Sequence, residues 1–508
     1  MVYWVLGGDA SMKAPDRYIL SLDQGTTTSR AIVFNSAGNI MGLAQQPFKQ
    51  IYPQPGWVEH DPEEIWETQL DSARKAIEAA QISIDQIESI GITNQRETTI
   101  LWDATDGKPV YNAIVWQCRR SADICRELEA LGMADLIREK TGLILDAYFS
   151  ATKLLWLFQE LPELKAKAER GILRFGTVDS WLLYKLTGVH RTDATNASRT
   201  MLFNIRTGVW DKDLLSMLKI PASILPEVFP SSGLLGETKR ELFGRAIPVT
   251  GCAGDQQAAL FGHACFHPGD IKNTYGTGCF TLMNTGKIPI SSKNRLLTTI
   301  AWRLGTETTY ALEGSVFIGG AIIQWLRDEV GLLTDSSESE RLARSVDDTG
   351  GAVIVPAFVG LGAPYWDPDA RGAMFGLSRG TTRAHLARAA LESIAYQTRD
   401  LITAMEADYG KPIGDVKADG GAAANSFLMQ FQADILGKKI ALPEVNEITA
   451  LGAAYLAGLA TGYWESEREI SLNWRARRIF EPQSSQNERL ERVSRWLQAV
   501  SAARSFKP

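Results

Sequence analysis

The sequence has few cysteines and few histidines, and neither residue type is spaced for a metal or disulfide role. Its five cysteines are odd in number and form no CxxC pair, so we expect reduced thiols. Among its five histidines, His263 and His267 are one helical turn apart, but they lack the third ligand or HExxH pattern of a zinc site. These absences argue against a disulfide framework and against a zinc enzyme.

Long apolar runs and an excess of charge are also absent. No uncharged stretch reaches the roughly 18 residues that a membrane span needs. The first 15 residues lack the basic segment and apolar run of a secretory signal. The formal net charge of −6 does not favour nucleic acid or an anionic membrane as a main partner. We therefore expect a cytoplasmic enzyme that acts on small molecules.

The phosphate-binding pattern GxxxxGKS/T is missing, yet two glycine–threonine turns are present. Residues 21–30, SLDQGTTTSR, lie between two strand patterns, and residues 271–283, IKNTYGTGCFTLM, repeat this arrangement about half the chain later. Such turns offer N–H groups and hydroxyls that can surround a phosphate. One alone is more often an ordinary polar hairpin, but two in matched halves favour phosphate binding. Asp23, beside the first turn, would hold magnesium through water.

The chain of 508 residues is too long for one core, so two domains are expected. Strand and helix patterns alternate, which predicts mixed α/β layers. We place the main boundary near residue 255, which divides the chain into an extension, two domains and a tail over 1–16, 17–255, 256–465 and 466–508. The end of the tail has the pattern of a solvated amphipathic helix.

Two helix patterns are rich in small residues, at 177–188 and 449–462. Small residues such as Gly452 allow helices to approach closely, which predicts a hinge between the halves. Tight packing within an ordinary core is the alternative.

Several polar residues interrupt apolar patterns, and each has two interpretations. Asp255 follows an apolar strand and opens a helix, where it is either an N-cap or a general base in the cleft. The run Asn94–Glu97 is either an exposed turn or an Arg–Glu pair that binds a polar ligand. Asn425 follows a glycine–alanine turn, which is either a plain strand-to-helix connection or a surface for adenine.

Three aromatic residues would supply apolar walls beside the polar run, although each alone is more often a core residue: Trp116, Tyr148 and Phe280.

Taken together, the motifs resemble those of the glycerol kinases, within the carbohydrate-kinase family on the actin-like ATPase fold. The resemblance spans roughly residues 17–465 and rests on LDQGTTTSRAIVF, PGWVEHDPEEIW, GITNQRETTILW, NAIVWQCRR, NASRTMLFNI, AGDQQAALFG, KNTYGTGCFTLMNTG, GLGAPYWDP and DGGAAANSFLMQFQADILG. It implies an α/β fold with two duplicated actin-like ATPase (ribonuclease H-like) domains. In each, helices flank a mixed central sheet, and the active-site cleft lies between the domains.

The resemblance also implies a reaction and its residues. ATP, with Mg²⁺, would phosphorylate glycerol to sn-glycerol 3-phosphate in glycerol catabolism, and the enzyme would be a homodimer or homotetramer. The implied ATP-binding residues are Thr26, Thr27, Thr28, Arg30, Thr277, Gly320, Ile323, Gln324, Gly421 and Asn425. The implied glycerol-binding residues are Arg96, Glu97, Trp116, Tyr148, Asp255, Gln256 and Phe280, with Asp255 as the base and Asp23 near the magnesium.

One departure limits what the resemblance implies about regulation. Residues 236–248, GETKRELFGRAIP, lack the glycine run of the loop at which fructose 1,6-bisphosphate inhibits some bacterial members. That regulation is not carried over, and neither is contact with a sugar-phosphotransfer protein. The alternatives to glycerol phosphorylation are a kinase for another polyol or ketose on the same fold, and a nucleotide-gated actin-like ATPase module.

Overall fold

The computed structural model describes residues 16–506, so the predicted extension falls almost entirely outside the described residues. Up to residue 254 the strands are β1 (Tyr18–Gln24), β2 (Thr28–Phe34), β3 (Ile40–Pro47), β4 (Glu59–His60), β5 (Ile87–Asn94), β6 (Ile100–Asp103), β7 (Ala113–Ile114), β8 (Leu173–Gly176), β9 (Arg191–Asp193), β10 (Phe203–Asn204), β11 (Val209–Trp210), β12 (Glu227–Phe229), β13 (Ser232–Glu237) and β14 (Pro248–Gly254). The later strands are β15 (Ile271–Tyr275), β16 (Cys279–Gly286), β17 (Leu297–Leu304), β18 (Glu307–Val316), β19 (Val353–Val355), β20 (Ala373–Phe375), β21 (Val416–Asp419), β22 (Ile440–Pro443) and β23 (Ala476–Phe480).

Helices alternate with these strands, as the patterns predict. They are α1 (Pro62–Ala79), α2 (Ala122–Ala130), α3 (Ala134–Thr141), α4 (Ser150–Glu160), α5 (Pro162–Glu169), α6 (Val178–Thr187), α7 (Ala194–Ala197), α8 (Lys212–Met217), α9 (Arg240–Phe243), α10 (Asp255–Gly262), α11 (Ala321–Asp328), α12 (Glu338–Ala343), α13 (Arg383–Tyr409), α14 (Ser426–Leu436), α15 (Ile448–Thr461), α16 (Glu467–Asn473) and α17 (Gln486–Ser505). None of these helices combines the length and the apolar character that crossing a membrane requires.

Among the described residues, thirteen strands form one sheet, in the order β3-β2-β1-β5-β14-β13-β17-β18-β16-β15-β21-β22-β23. In its first half, β1–β2 and β2–β3 are antiparallel pairs, and β1–β5 and β5–β14 are parallel pairs. In its second half, β15–β16 and β16–β18 are antiparallel, and β15–β21 and β21–β22 are parallel. The same order and directions recur, which confirms the predicted duplication.

The parallel register brings the ends of three strands to one edge of the sheet. Gln24 on β1 and Gly254 on β14 both pair with Asn94 at the end of β5. The segments that follow therefore emerge side by side: the first glycine–threonine turn, the polar run that ends at Glu97, and Asp255. In open α/β sheets, ligands bind at this carboxyl edge.

The small-residue helix α15 joins the halves. Its main helical partner is α10 rather than the other small-residue segment, 177–188. It packs against α10 and against β1, β5 and β14 of the first half, whereas α6, over 178–187, lies on the first half's own sheet. The α10–α15 contact is very close: a Cβ at Gly452 would lie 1.8 Å from the carbonyl oxygen of Ala258. Only glycine fits there.

The predicted tail is part of the second half rather than a solvated appendage. Strand β23 pairs with β22, and one face of α17 is buried. On that face the Trp496 ring stacks on Tyr396 with centroids 5.2 Å apart, and its Nε1–H donates to Asp400 at 2.6 Å. The amphipathic pattern of α17 is therefore that of a helix packed on the core.

We expect Gly452→Ala to destabilise the protein, because the added methyl group overlaps the α10 backbone. Overpacking of this kind costs about 1–3 kcal/mol, although alanine's helix propensity returns up to about 1 kcal/mol. The thermal unfolding midpoint should fall by about 2 °C or more.

The matched control is Gly414→Ala, since a Cβ at Gly414 meets no atom within 4 Å. This variant should unfold within about 1 °C of the wild type. Equal midpoints for the two variants would contradict the close α10–α15 contact.

Candidate active site

Arg96 lies at the centre of a buried ion-pair network at the carboxyl edge of the sheet. Its side chain is 2% exposed, and its two terminal nitrogens donate to Glu313 at 2.6 and 2.8 Å. Glu313 lies on β18, so this bidentate pair crosses from the first half to the second. Burial alone would raise the pKa of Glu313, but Arg199 and Arg96 lower it to about 2.

Glu97 has a different arginine partner from the one the sequence predicted. Its Oε1 accepts from Arg199 at 2.6 Å, whereas the Nε of Arg96 lies 3.9 Å away. Arg199 also donates to Glu313 at 3.1 Å. The residues Asn94–Glu97 are all buried, so the exposed-turn interpretation is wrong. The predicted Arg–Glu clamp is in fact a network of two arginines and two glutamates.

One oxygen of this network has no hydrogen-bond partner in the described part of the chain. The buried Oε2 of Glu97 makes no hydrogen bond within residues 16–506. Glu97 also has a left-handed backbone, with φ of 61°, which is uncommon outside glycine. Burial raises the pKa of Glu97, although Arg199 and Arg96 oppose this. An unpaired buried acceptor is costly, so this oxygen is suited to a ligand's donor.

Asp255 is the accessible acid beside this network. Its side chain is 32% exposed, and its Oδ1 lies 3.1 Å from the Nε of Arg96. Desolvation raises the pKa of Asp255, against the lowering effect of Arg96. The residue before it must be glycine, because a Cβ at Gly254 would lie 2.6 Å from the Cδ of Arg96. Because part of its side chain is exposed, Asp255 can reach a ligand in the cleft.

Aromatic rings from both halves meet beside the polar network. Trp116 contacts Tyr148 and Phe280 edge to face, with centroid distances of 5.5 and 6.3 Å. The indole N–H of Trp116 donates to Thr26 Oγ1 at 3.0 Å, which links this wall to the first glycine–threonine turn. Behind Tyr148, the buried ammonium of Lys153 donates to the main-chain carbonyls of residues 147–149.

Asp23 and Arg30 lie on neighbouring strands near the first turn. The Asp23 side chain is 14% exposed, and burial raises its pKa to about 7 despite Arg30 at 3.9 Å. Arg30 donates to Gln45 at 2.9 Å and forms an ion pair with Glu447, which precedes α15. In this conformation Arg30 is thus bound more closely by Gln45 and Glu447 than by Asp23.

The second glycine–threonine turn is fixed to the start of α11. Main-chain N–H groups of Gly319 and Gly320 donate to the carbonyls of Thr277 and Gly276, both at 2.8 Å. The Thr277 side chain is exposed, and so are Gln324 and Gly421, whereas Ile323 is buried. A Cβ at Gly421 would meet no atom of residues 16–506 within 4 Å, so open space lies beside this backbone.

The side chain of Asn425 is engaged by the protein. Its Oδ1 caps α14 by accepting from the N–H of Leu428 at 3.0 Å, and its Nδ2 donates to Ser339 at 3.3 Å. An adenine that contacts the Asn425 side chain must share its Oδ1 with Leu428 and its Nδ2 with Ser339.

A separate cluster of acidic and thiol groups lies buried within the first half. Atoms of Asp179, Asp193 and Cys252 lie close enough together to surround a cation. The carboxylates, however, accept hydrogen bonds from hydroxyls of Thr192 at 2.6 Å and Ser231 at 2.7 Å, among others. These bonds only partly offset the effect of burial, which raises the pKa of both carboxyl groups, that of Asp179 to about 7.

Two family models match the chain. They are the N-terminal and C-terminal domains of the FGGY family of carbohydrate kinases, over residues 18–262 and 271–461. The chain belongs to this family. It is therefore a kinase, and the predicted fold class is confirmed.

Similar proteins cover nearly the whole chain. The glycerol kinase of Symbiobacterium thermophilum is 59% identical over 96% of this chain and 99% of its own, and glycerol kinase 2 of Thermotoga maritima is 58% identical over 96% and 98%. The crystal structure of Plasmodium falciparum glycerol kinase with ADP superposes with a TM-score of 0.91 at 38% identity, covering 96% of this chain and 98% of that one.

Four residues of the site were missed in the sequence: Arg199, Lys272, Glu313 and Glu447. Glu313 could have been identified from the sequence, because it is a charged residue inside the apolar strand pattern YALEGSVF. Lys272 offered a weaker signal, because its strand β15, IKNTY, also carries Asn273 and Thr274. Arg199 and Glu447 lie in polar loops, where charged residues are ordinary.

We expect Glu313→Gln to raise the KM for the phosphoryl acceptor by about 10-fold or more, because Arg96 loses its charged bidentate partner. The KM for ATP should change by less than about threefold. Steady-state kinetics with each substrate varied in turn measures both values.

The matched control is Glu392→Gln, a buried glutamate that pairs with Arg388 on α13 at 2.9 Å. It should lower stability and leave the acceptor KM within about twofold. If both variants raise this KM equally, the network does not position Arg96 for the acceptor.

Proposed function

We propose that the protein transfers the γ-phosphoryl group of ATP to glycerol and forms sn-glycerol 3-phosphate. The observation that carries this proposal is the arrangement around Asp255. The accessible carboxylate of Asp255, whose pKa is raised, contacts Arg96, and the three aromatic rings lie beside the same network, with the Arg199 guanidinium 5.8 Å from the Tyr148 ring centroid. The glycerol kinases that resemble the chain at 58–59% identity support glycerol as the acceptor.

Glycerol matches this pocket chemically. Its three adjacent hydroxyls need both donors and acceptors, and Arg96, Asp255, Gln256 and the unpaired Oε2 of Glu97 supply them. Its C–H face needs apolar contact, which Trp116, Tyr148 and Phe280 supply. A buried polar group that meets no partner is costly, so acceptors lacking a hydroxyl should bind less well.

Asp255 is the proposed general base. Its carboxylate takes the proton of the attacking hydroxyl as that oxygen bonds to the γ-phosphorus. The bond from this phosphorus to the bridging oxygen breaks, and ADP leaves with the electron pair. A raised pKa makes the carboxylate a better proton acceptor. Because phosphoryl transfer depends mainly on positioning and charge neutralisation, the cleft must also exclude water.

The two glycine–threonine turns are the proposed phosphate contacts. Thr26, Thr27 and Thr28 act from the first half with Arg30, and Thr277 and Gly320 act from the second. Ile323, Gln324, Gly421 and Asn425 are the proposed border of the adenosine, beside the open space at Gly421. Arg30 would have to exchange Glu447 for phosphate when ATP binds.

Asp23 fits a magnesium ion held with the nucleotide. Its pKa of about 7 reports a carboxylate whose charge the protein compensates poorly. When bound, Mg²⁺ neutralises phosphate charge. Asp23 would hold the ion through water and thereby orient it on the first half. The cytoplasmic location, the homodimer or homotetramer and the domain boundary near residue 255 stay predictions.

We expect Asp255→Asn to reduce turnover by about 10²–10⁴, the usual contribution of a general base. ADP binding by calorimetry should be unchanged, because the proposed nucleotide contacts remain. A coupled ADP assay with glycerol, other polyols and ketoses measures the rates, and wild-type ATP consumption should require glycerol.

Asp270→Asn is the matched control. Asp270 accepts the His267 N–H at 2.9 Å, away from the cleft, and its variant should retain activity within about twofold. Turnover of Asp255→Asn near the wild-type rate would contradict the base. A preference for a ketose would favour the alternative kinase, and consumption without an acceptor would favour the gated ATPase.

We expect Asp23→Asn to raise the Mg²⁺ concentration that gives half-maximal ADP binding by about tenfold or more, because a carboxylate is lost beside the ion. Calorimetry at graded Mg²⁺ measures this shift. With EDTA present, wild type and variant should bind ADP equally. An unchanged Mg²⁺ requirement would place the ion elsewhere.

A further inference from the structure

Lys272 is a buried lysine beside the proposed acceptor site. The proposed reaction gives its ammonium group no role. Lys272 lies on β15, and its Nζ contacts three acceptors: the side-chain oxygen of Gln256, Thr274 Oγ1 at 2.9 Å and the Phe280 carbonyl at 3.3 Å. An ammonium has three N–H groups, so all of them are used. The acceptors lie on α10 and on the β15–β16 hairpin, which both border the proposed acceptor site.

This contact determines which way the Gln256 amide points. An ammonium donates and cannot accept, so the amide must present its oxygen to Lys272 and its NH₂ group to the opposite side. Within the described chain, residues 16–506, the structure gives that NH₂ group no hydrogen-bond partner. The main-chain N–H of Gln256 donates to Asp255 Oδ1 at 2.7 Å, which holds the Asp255 carboxylate at the start of α10.

The charge on Lys272 is supported by its surroundings. Burial lowers its pKa to about 8, while Asp419 and Asp255 act in the opposite direction, so the group is mainly protonated at neutral pH. Arg96 and Glu313 also face it. Loss of the charge would remove the reason for the amide to keep one orientation.

We propose that Lys272 is a positioning residue that holds the Gln256 amide with its NH₂ group towards the acceptor, so that Gln256 donates to a glycerol hydroxyl oxygen. This inference rests on the proposed function. It completes a division of roles in the pocket: Gln256 supplies a donor, and the unpaired Oε2 of Glu97 supplies an acceptor. A vicinal hydroxyl pair can satisfy both.

The first test compares Gln256→Glu with Gln256→Met. Glutamate keeps an oxygen for Lys272 but has no NH₂ group, whereas methionine keeps the length and loses both. If Gln256 donates to glycerol, each variant raises the glycerol KM by about tenfold, with the ATP KM nearly unchanged. If glycerol instead contacts the amide oxygen, Gln256→Glu retains a wild-type KM, and the proposal is wrong.

The second test is a double-mutant cycle with Lys272→Met. In the wild-type background this change should raise the glycerol KM by about fivefold or more, because the amide loses its orientation. In the Gln256→Met background it should have almost no further effect on that KM. An equal increase in both backgrounds would show a general structural role and would overturn the proposal.

Lys417 offers a matched control for the second test. It pairs in register with Lys272 on the neighbouring parallel strand, but its Nζ donates to the carbonyls of His263 and Ala264. Lys417→Met should leave the glycerol KM within about twofold. A rise as large as that of Lys272→Met would show that the effect is not specific to the lysine that contacts Gln256, and it would overturn the proposal.

Thermal unfolding separates this inference from the proposed function. If the wild type fails to phosphorylate glycerol, the proposed function is wrong, but the amide orientation is still measurable. Gln256→Glu keeps an acceptor for Lys272, so it should unfold at a higher temperature than Gln256→Met. An equal or lower midpoint would overturn the orientation of the amide, whatever the activity.

Discussion

Glu313 compensates two buried arginines that would otherwise be too costly to keep away from water. Arg96 and Arg199 belong to the first half, and Glu313 reaches them from β18 of the second. Removal of one partner from a buried ion pair costs about 3–5 kcal/mol, because it leaves an unpaired charge. The position of Arg96, and with it the Arg96–Asp255 contact, therefore depends on how the halves are packed.

The α10–α15 contact gives this packing a second fixed point. Gly452 brings α15 against the backbone of α10, and the first residue of α10 is Asp255. One end of α10 is thus held by the neighbouring helix, while the other carries an accessible carboxylate into the cleft. The ligand-facing groups that meet there come from both halves, as Trp116 and Phe280 do. Relative movement of the halves would change this contact together with the Arg30–Glu447 ion pair.

Much of the fold is local in origin and was predictable. The two hairpins, the small-residue helix and the long amphipathic helices follow from patterns within short segments. Asp255, Arg96 and Glu97 were also identifiable, because charged side chains next to apolar strands need a reason to be there. The amphipathic pattern over 484–508 predicted a helix, but a pattern alone does not state whether the apolar face meets a core. Trp496 shows that it does.

The sequence by itself determined the residue types at the carboxyl edge of the sheet, and the tertiary structure decided their partners. Arg96 pairs with Glu313 rather than with its neighbour Glu97, and Glu97 pairs with Arg199. Arg96 and Glu97 lie in a bend after β5, where Glu97 has a φ of 61°, so adjacency in sequence is a poor guide to which side chains form the closest ion pairs. Lys272 and Gln256 likewise meet only because the β15 strand passes beneath α10. Such contacts depend on strand order and helix packing, which no short segment encodes.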